Sequence, residues 1–192
     1  MPRTRAFDRA EVVRQARSVF WAQGFEVASI PQLEAATGLS RSSIYNEFGS
    51  KDGLFDAAVA SYLTEVVYPP LRPLQQEAVE AHALADYLHG LQKMFGRGTG
   101  EAARFGCLLI NSAAAPVGQR PEVANAVRRY RRSLAEAIGQ GMAAAHPAQP
   151  ASQRQRLVDA VTALVVAAFA LVRVDRAQAA QTLASAVEIA RP

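Results

Sequence analysis

The sequence has one cysteine in 192 residues, Cys107, so no intrachain disulfide can form, and a reducing cytoplasm is the simplest expectation. Histidine is scarce too, with three copies. No nucleophile motif, Gly-rich phosphate loop or carboxylate pair is arranged around them, so the chain reads as non-catalytic and without a cofactor. Long apolar runs are missing too. The longest uncharged one covers thirteen residues, between Asp159 and Arg173, too short for a bilayer and suited to a buried helix. The opening MPRTRAFDRAEVV carries no apolar h-region, so no signal peptide is expected. Strand-type alternation, internal repeats and a low-complexity tail are also lacking.

What is present is helix. Half the residues are hydrophobic and a fifth are charged, an ordinary globular balance. Asp8 and Glu11 open a first amphipathic helix through Val12, Ala16, Val19 and Phe20, stopped at Gly24. Ser29-Ile-Pro-Gln32 is a capping box with proline in the first turn. Ile30, Leu33 and Ala36 follow on one face until Gly38. Ser40 starts a third helix with Ile44 and Phe48 behind it, closed by Gly49. Ser50 starts a connecting helix over 51–68, expected to halt at Pro69-Pro70. Beyond Pro73 the pattern stays helical: one piece to about Phe95, one over 102–115, one from Pro121 to about 146, then 152–173 and 175–190. The expected fold is all-α with about nine helices. Residues 1–50 form an N-terminal three-helix domain, and residues 51–192 form a C-terminal helical bundle.

The helices at 29–37 and 40–48 are joined by Thr37-Gly38-Leu39, the spacing of a helix-turn-helix. Leu33, Leu39, Ile44 and Phe48 are placed to lock the pair together. The polar start of the second helix is then left free for a major groove, where an Arg favours guanine. Net charge does not lead there. Residues 1–60 carry seven basic and seven acidic side chains, while residues 121–192 carry nine Arg against five acids.

Residues 8–55 resemble the DNA-binding domain of the TetR family of bacterial transcriptional regulators. The resemblance is carried by "FWAQGFEVASI" and "LEAATGLSRSSIYNEFGSKDGLF". It implies that Arg41 and Ser42 contact bases and that Ser29, Ser43, Tyr45 and Lys51 contact phosphates. Ser40 caps the recognition helix, and Asn46 stands where members often touch DNA. Two departures stand out: Glu34 replaces a small residue under the turn, and Pro31 replaces a basic residue found in some members. Arg3 and Arg5 either follow the DNA or belong to a disordered tail.

The resemblance further implies a repressor released from double-stranded, near-palindromic operator DNA by a small-molecule effector. Two copies are needed for affinity, and residues 152–190 are the expected homodimer surface. Leu157, Val161, Leu164, Val165, Ala168 and Leu171 continue one face there. Met94, Phe95, Phe105, Cys107, Met142 and Phe169 are the expected effector-pocket residues, each also readable as core. Cys107 has a second reading, because some family members use a thiol in a similar Gly-Cys-Leu segment to sense oxidants or electrophiles. That alternative needs a depressed pKa and solvent access. "RRYRR" at 128–132 falls off the apolar stripe of Val123, Val127, Tyr130, Leu134 and Ile138, and reads as a solvated face. His82, Asp86 and His89 share a helical face but read as chance spacing, so no metal site is expected.

Overall fold

The computed structural model describes residues 7–191. Nine helices of six or more residues account for most of it, and there is no strand among the described residues. α1 (Arg9–Gln23) starts where the Asp8 carboxylate accepts the amides of Ala10 and Glu11 at 2.9 and 3.4 Å. α2 (Ile30–Thr37) begins with the expected Ser29–Gln32 capping box. It ends at Gly38, whose φ of 67° is the left-handed turn that glycine adopts without a Cβ penalty. α3 (Arg41–Phe48) follows at once, with Ser40 as its cap. Leu33, Ile44, Leu54 and Phe55 are fully buried, and Phe20 meets Phe55 edge-on at 5.0 Å. These apolar residues clamp α2 onto α1 and α3 onto α4.

α4 (Lys51–Tyr62) packs on α1 and carries the chain towards the C-terminal helices. The prolines expected to halt it do not. Beyond Tyr62 the helix widens into one π-helical stretch, Leu63–Val67, closed by the Tyr68 amide on the Leu63 carbonyl. It then continues as α5 (Tyr68–Leu71) and a 3-10 turn, Arg72–Gln75. A proline ring strikes the carbonyl four residues earlier in an α-helix. The widened turn moves that carbonyl aside, so Pro69 and Pro70 fit and Leu71 and Leu74 reach the core.

The helix expected from Pro73 onward begins only at Ala83. Residues 76–82 are irregular, because Gln76 is extended and its amide side chain donates to the Arg72 carbonyl at 2.8 Å, closing the preceding turn. α6 (Ala83–Arg97) ends at Gly98. The single helix expected over 102–115 is two, α7 (Glu101–Phe105) and α8 (Leu108–Ala113), broken at Gly106. Gly106 has φ 74°, and a Cβ there would lie 2.5 Å from the Phe169 carbonyl oxygen. α9 (Pro121–Ala145), α10 (Ala151–Leu171) and α11 (Arg176–Ala190) complete the bundle close to the expected bounds. On α10, Val161, Val165 and Ala168 turn inward, whereas Leu157, Leu164 and Leu171 are half-buried on another side. The face expected to be one is therefore two. Arg128, Arg129, Arg131 and Arg132 are all exposed on α9, while Tyr130 is buried between them.

The apolar core runs unbroken from α1 to α11. Polar contacts stitch the N-terminal helices to the rest. The buried Trp21 Nε1–H donates to the Gly106 carbonyl at 3.0 Å, and the Trp21 ring meets Tyr62 edge-on at 4.8 Å. The Val117 amide donates to Glu26 at 2.7 Å, and Arg120 pairs with Asp52 and Asp56 at 3.1 and 3.0 Å. Arg173 donates to the Ala22 carbonyl at 3.1 Å.

Candidate nucleic-acid interface and effector cavity

Only Ile44 is fully buried among the eight residues of α3. With Gly38 turning the chain and Ile44 and the half-buried Phe48 holding the inner side, the leading end of α3 faces outward. Ser40, Arg41, Ser42 and Tyr45 meet in one shallow open depression, together with Glu34. The Ser40 hydroxyl accepts the Ser43 amide at 3.2 Å and lies 2.9 and 3.0 Å from the hydroxyls of Ser42 and Ser43. The Arg41 guanidinium sits 5.4 Å from the centroid of the Tyr45 ring, a stacking contact that holds it over the exposed face. Asn46 is exposed one residue further along.

The remaining expected contacts lie apart from the depression. Ser29 is exposed at the start of α2. Lys51 begins α4, and its Nζ rests 4.4 Å from the centroid of Phe25. Arg3 and Arg5 lie outside the described residues. Sequence reasoning noticed Glu34 only as a departure and missed its role. Its Oε1 accepts the Arg41 amide at 2.6 Å, so a carboxylate occupies the positive end of the recognition helix. Glu47 was missed as well; Arg9 holds it at 2.7 Å, which offsets its charge at the edge of the same surface. The signal for both lay in acidic residues within an otherwise neutral-to-basic motif.

A second feature lies in the bundle. A cavity of about 690 Å³ opens between the π-helical bend and α6. Val66, Pro70 and Pro73 form one wall, and Ala83, Leu91 and Met94 the other. Of the six expected pocket residues, Met94 alone lines it. Phe95, Cys107 and Met142 are buried core, and Phe169 packs edge-on against Phe95 at 5.1 Å. Phe105 is half-buried under Arg104 and Arg173. Periodicity marks apolar faces but does not separate filled from unfilled ones. Here the space arises where the helix widens and the following segment is irregular.

Cys107 is 1% exposed, and burial pushes its thiol above the ordinary range despite the neighbouring Tyr62 hydroxyl. Both requirements of a sensing thiol, access and a depressed pKa, are reversed. The structure does not favour the thiol-sensing alternative: Cys107 is a packed core residue. A disulfide-exchange reagent at pH 8 should label native Cys107 no faster than the chain unfolds, with rapid labelling in denaturant. Stoichiometric labelling of the folded protein within seconds would refute this. His82 and Asp86 lie 3.6 Å apart, and no group of three potential metal ligands occurs among the described residues.

Residues 12–58 match the model of a family described as bacterial regulatory proteins, tetR family. The chain is 30% identical over 143 residues to the HTH-type transcriptional regulator YezE of Bacillus subtilis, covering 74% of this chain and 72% of that protein. The chain belongs to the TetR family. It is also 30% identical over 128 residues to the HTH-type transcriptional repressor ComR of Escherichia coli, spanning 66% of this TetR-family chain and 59% of ComR. Among solved structures it is similar to a cysteine mutant of the TetR family regulator CifR complexed with 26-base-pair double-strand operator DNA. That similarity has a TM-score of 0.78 and 25% identity, covering 97% of this chain and 98% of CifR. The residues matched by the family model contain the whole helix-turn-helix.

Proposed function

We propose that this TetR-family chain is a DNA-binding transcriptional repressor that reads a near-palindromic operator through α3 and leaves it when a small molecule enters the bundle cavity. The observation that carries the reading is the outward leading end of α3. Arg41 and Ser42 are exposed there on a helix anchored by Ile44. Arg41 and Ser42 read base edges; Ser29, Ser43, Tyr45 and Lys51 hold phosphates, with Asn46 beside them. Residues 1–50 are the reader, and residues 51–192 bind the effector and the second copy. The work is done by binding, so no catalytic role is assigned. Its place is the cytoplasm, with the DNA; among the described residues no helix is long and apolar enough to cross a membrane.

The homodimer is supported by faces left partly open to solvent. On α10, Ala163 and Ala170 are exposed, flanked by half-buried Leu164, Ala167 and Leu171, and Val174 beyond them is 88% exposed. On α11, Ala177 is exposed and Ala180 and Ala184 are half-buried. Small residues at this spacing let two helix pairs approach closely as a four-helix interface.

The deciding experiment is selection of bound duplexes from random DNA. A symmetric consensus with half-sites one helical turn or a multiple of it apart is expected. Retention of DNA without any enriched sequence would sink the proposal.

A further inference from the structure

Taking the bundle cavity as the effector site, as proposed above, we propose that its ligand is an amphiphilic organic cation: a bulky apolar or aromatic body carrying a positive charge. About 690 Å³ accommodates a drug-sized molecule, and the opposed walls described above bury its apolar body. The charged side chains at this cavity are of one sign. Glu80 and Asp86 both line it, and neither Lys nor Arg does. This acidic mouth stands out on a chain whose net charge is +4.

A carboxylate or phosphate ester seated here would bring its own negative charge beside two solvent-exposed carboxylates, with neither Lys nor Arg in the wall to offset it. His82 lines the same mouth 3.6 Å from Asp86, so Glu80 is the carboxylate of the two without a neighbouring imidazole. A cation meets the opposite situation. Its charge faces Glu80 and Asp86, and the Tyr87 ring and the Met94 thioether, both in the lining, offer polarizable surface to its body. A bare metal ion is a poor occupant, because the walls are apolar and no group of three ligating side chains occurs among the described residues. A small hydrophilic amine would leave those walls wet. Apolar bulk and positive charge are therefore required together.

The test uses two ions of the same shape and opposite charge, tetraphenylphosphonium and tetraphenylborate, titrated calorimetrically into the full-length protein at fixed ionic strength. The phosphonium is expected to bind about tenfold more tightly than the borate. The double variant Glu80→Gln/Asp86→Asn should weaken phosphonium binding by about tenfold and bring the two ions within about threefold of each other. Borate binding as tightly as phosphonium, or a double variant with unchanged phosphonium affinity, would overturn the proposal.

Gly90→Trp separates this outcome from failure of the effector-site reading. Gly90 lines the cavity, and a Cβ built on it meets nothing within 4 Å, so a side chain can be added there without a backbone clash. Loss of both ions in this folded variant supports the cavity as their site; retained phosphonium binding places the ion elsewhere and overturns the cation proposal. Phosphonium that occupies the cavity at saturation yet leaves the selected operator complex intact overturns the effector-site reading alone.

Discussion

Replacing Arg41 with alanine is expected to abolish sequence-specific DNA binding while leaving the fold intact. Among the described residues Arg41 enters no ion pair, and its side chain is exposed over Tyr45. Its removal therefore takes little from folding, within about 0.5 kcal/mol. A guanidinium donating two hydrogen bonds to one guanine contributes about 1–3 kcal/mol of discrimination. A symmetric dimer makes the contact twice, so the loss is about 2–6 kcal/mol, or roughly 30-fold to 20,000-fold in affinity. Arg41→Lys should not restore it, because an ammonium lacks the planar fork. Fluorescence anisotropy with the selected operator, beside a thermal melt, measures both quantities. A loss below threefold in a normally melting variant would remove Arg41 from the base-reading role.

The second large effect is expected at Gly106, which touches no DNA. Its φ of 74° and ψ of −141° lie where a side chain is strained, at about 1–3 kcal/mol. A Cβ would also sit 2.5 Å from the Phe169 carbonyl oxygen, a backbone atom that cannot swing away. Such overpacking adds about 1–3 kcal/mol. Gly106→Ala should therefore lower stability by about 2–6 kcal/mol in urea unfolding at fixed protein concentration. Wild-type stability would show that the turn is not under the constraint described.

The same position lies between the cavity and the N-terminal helices. Ala102 lines the cavity from α7, and α7 ends at the Gly106 carbonyl that accepts the Trp21 indole. Trp21→Phe keeps an aromatic ring against Tyr62 but leaves that buried carbonyl without its donor, at about 1–3 kcal/mol. The variant is expected to bind operator and to respond more weakly to effector. An unaltered response would remove the Trp21–Gly106 contact from the coupling.

The helix-turn-helix was legible in the sequence because its determinants are local. Ser29, Ser40 and Ser50 each accept an amide from the first turn of the helix they precede, and Asp175 does the same for the last helix. Such contacts span three residues and leave a readable pattern. The bundle depends on contacts that span the chain. Pro69-Pro70 reads as a stop because the rule assumes α register, and a single π turn suspends that rule. Gly106 reads as one glycine in a helical run until the Phe169 backbone is found against it. Phe95, Met142 and Phe169 carried the pocket expectation on apolar character alone, yet the open space formed beside Gly90 and the prolines, where side chains are small or the helix is distorted.

Glu34 gives the recognition helix an idle state. Between encounters with DNA, its carboxylate stands in for a phosphate at the Arg41 amide and keeps the first turn of α3 wound. The ordering of that turn is thus complete before a duplex arrives, which removes an entropic penalty from each docking event. The same charge repels any duplex whose contacts cannot outweigh it. A protein searching along DNA benefits from arriving with its reading helix already wound.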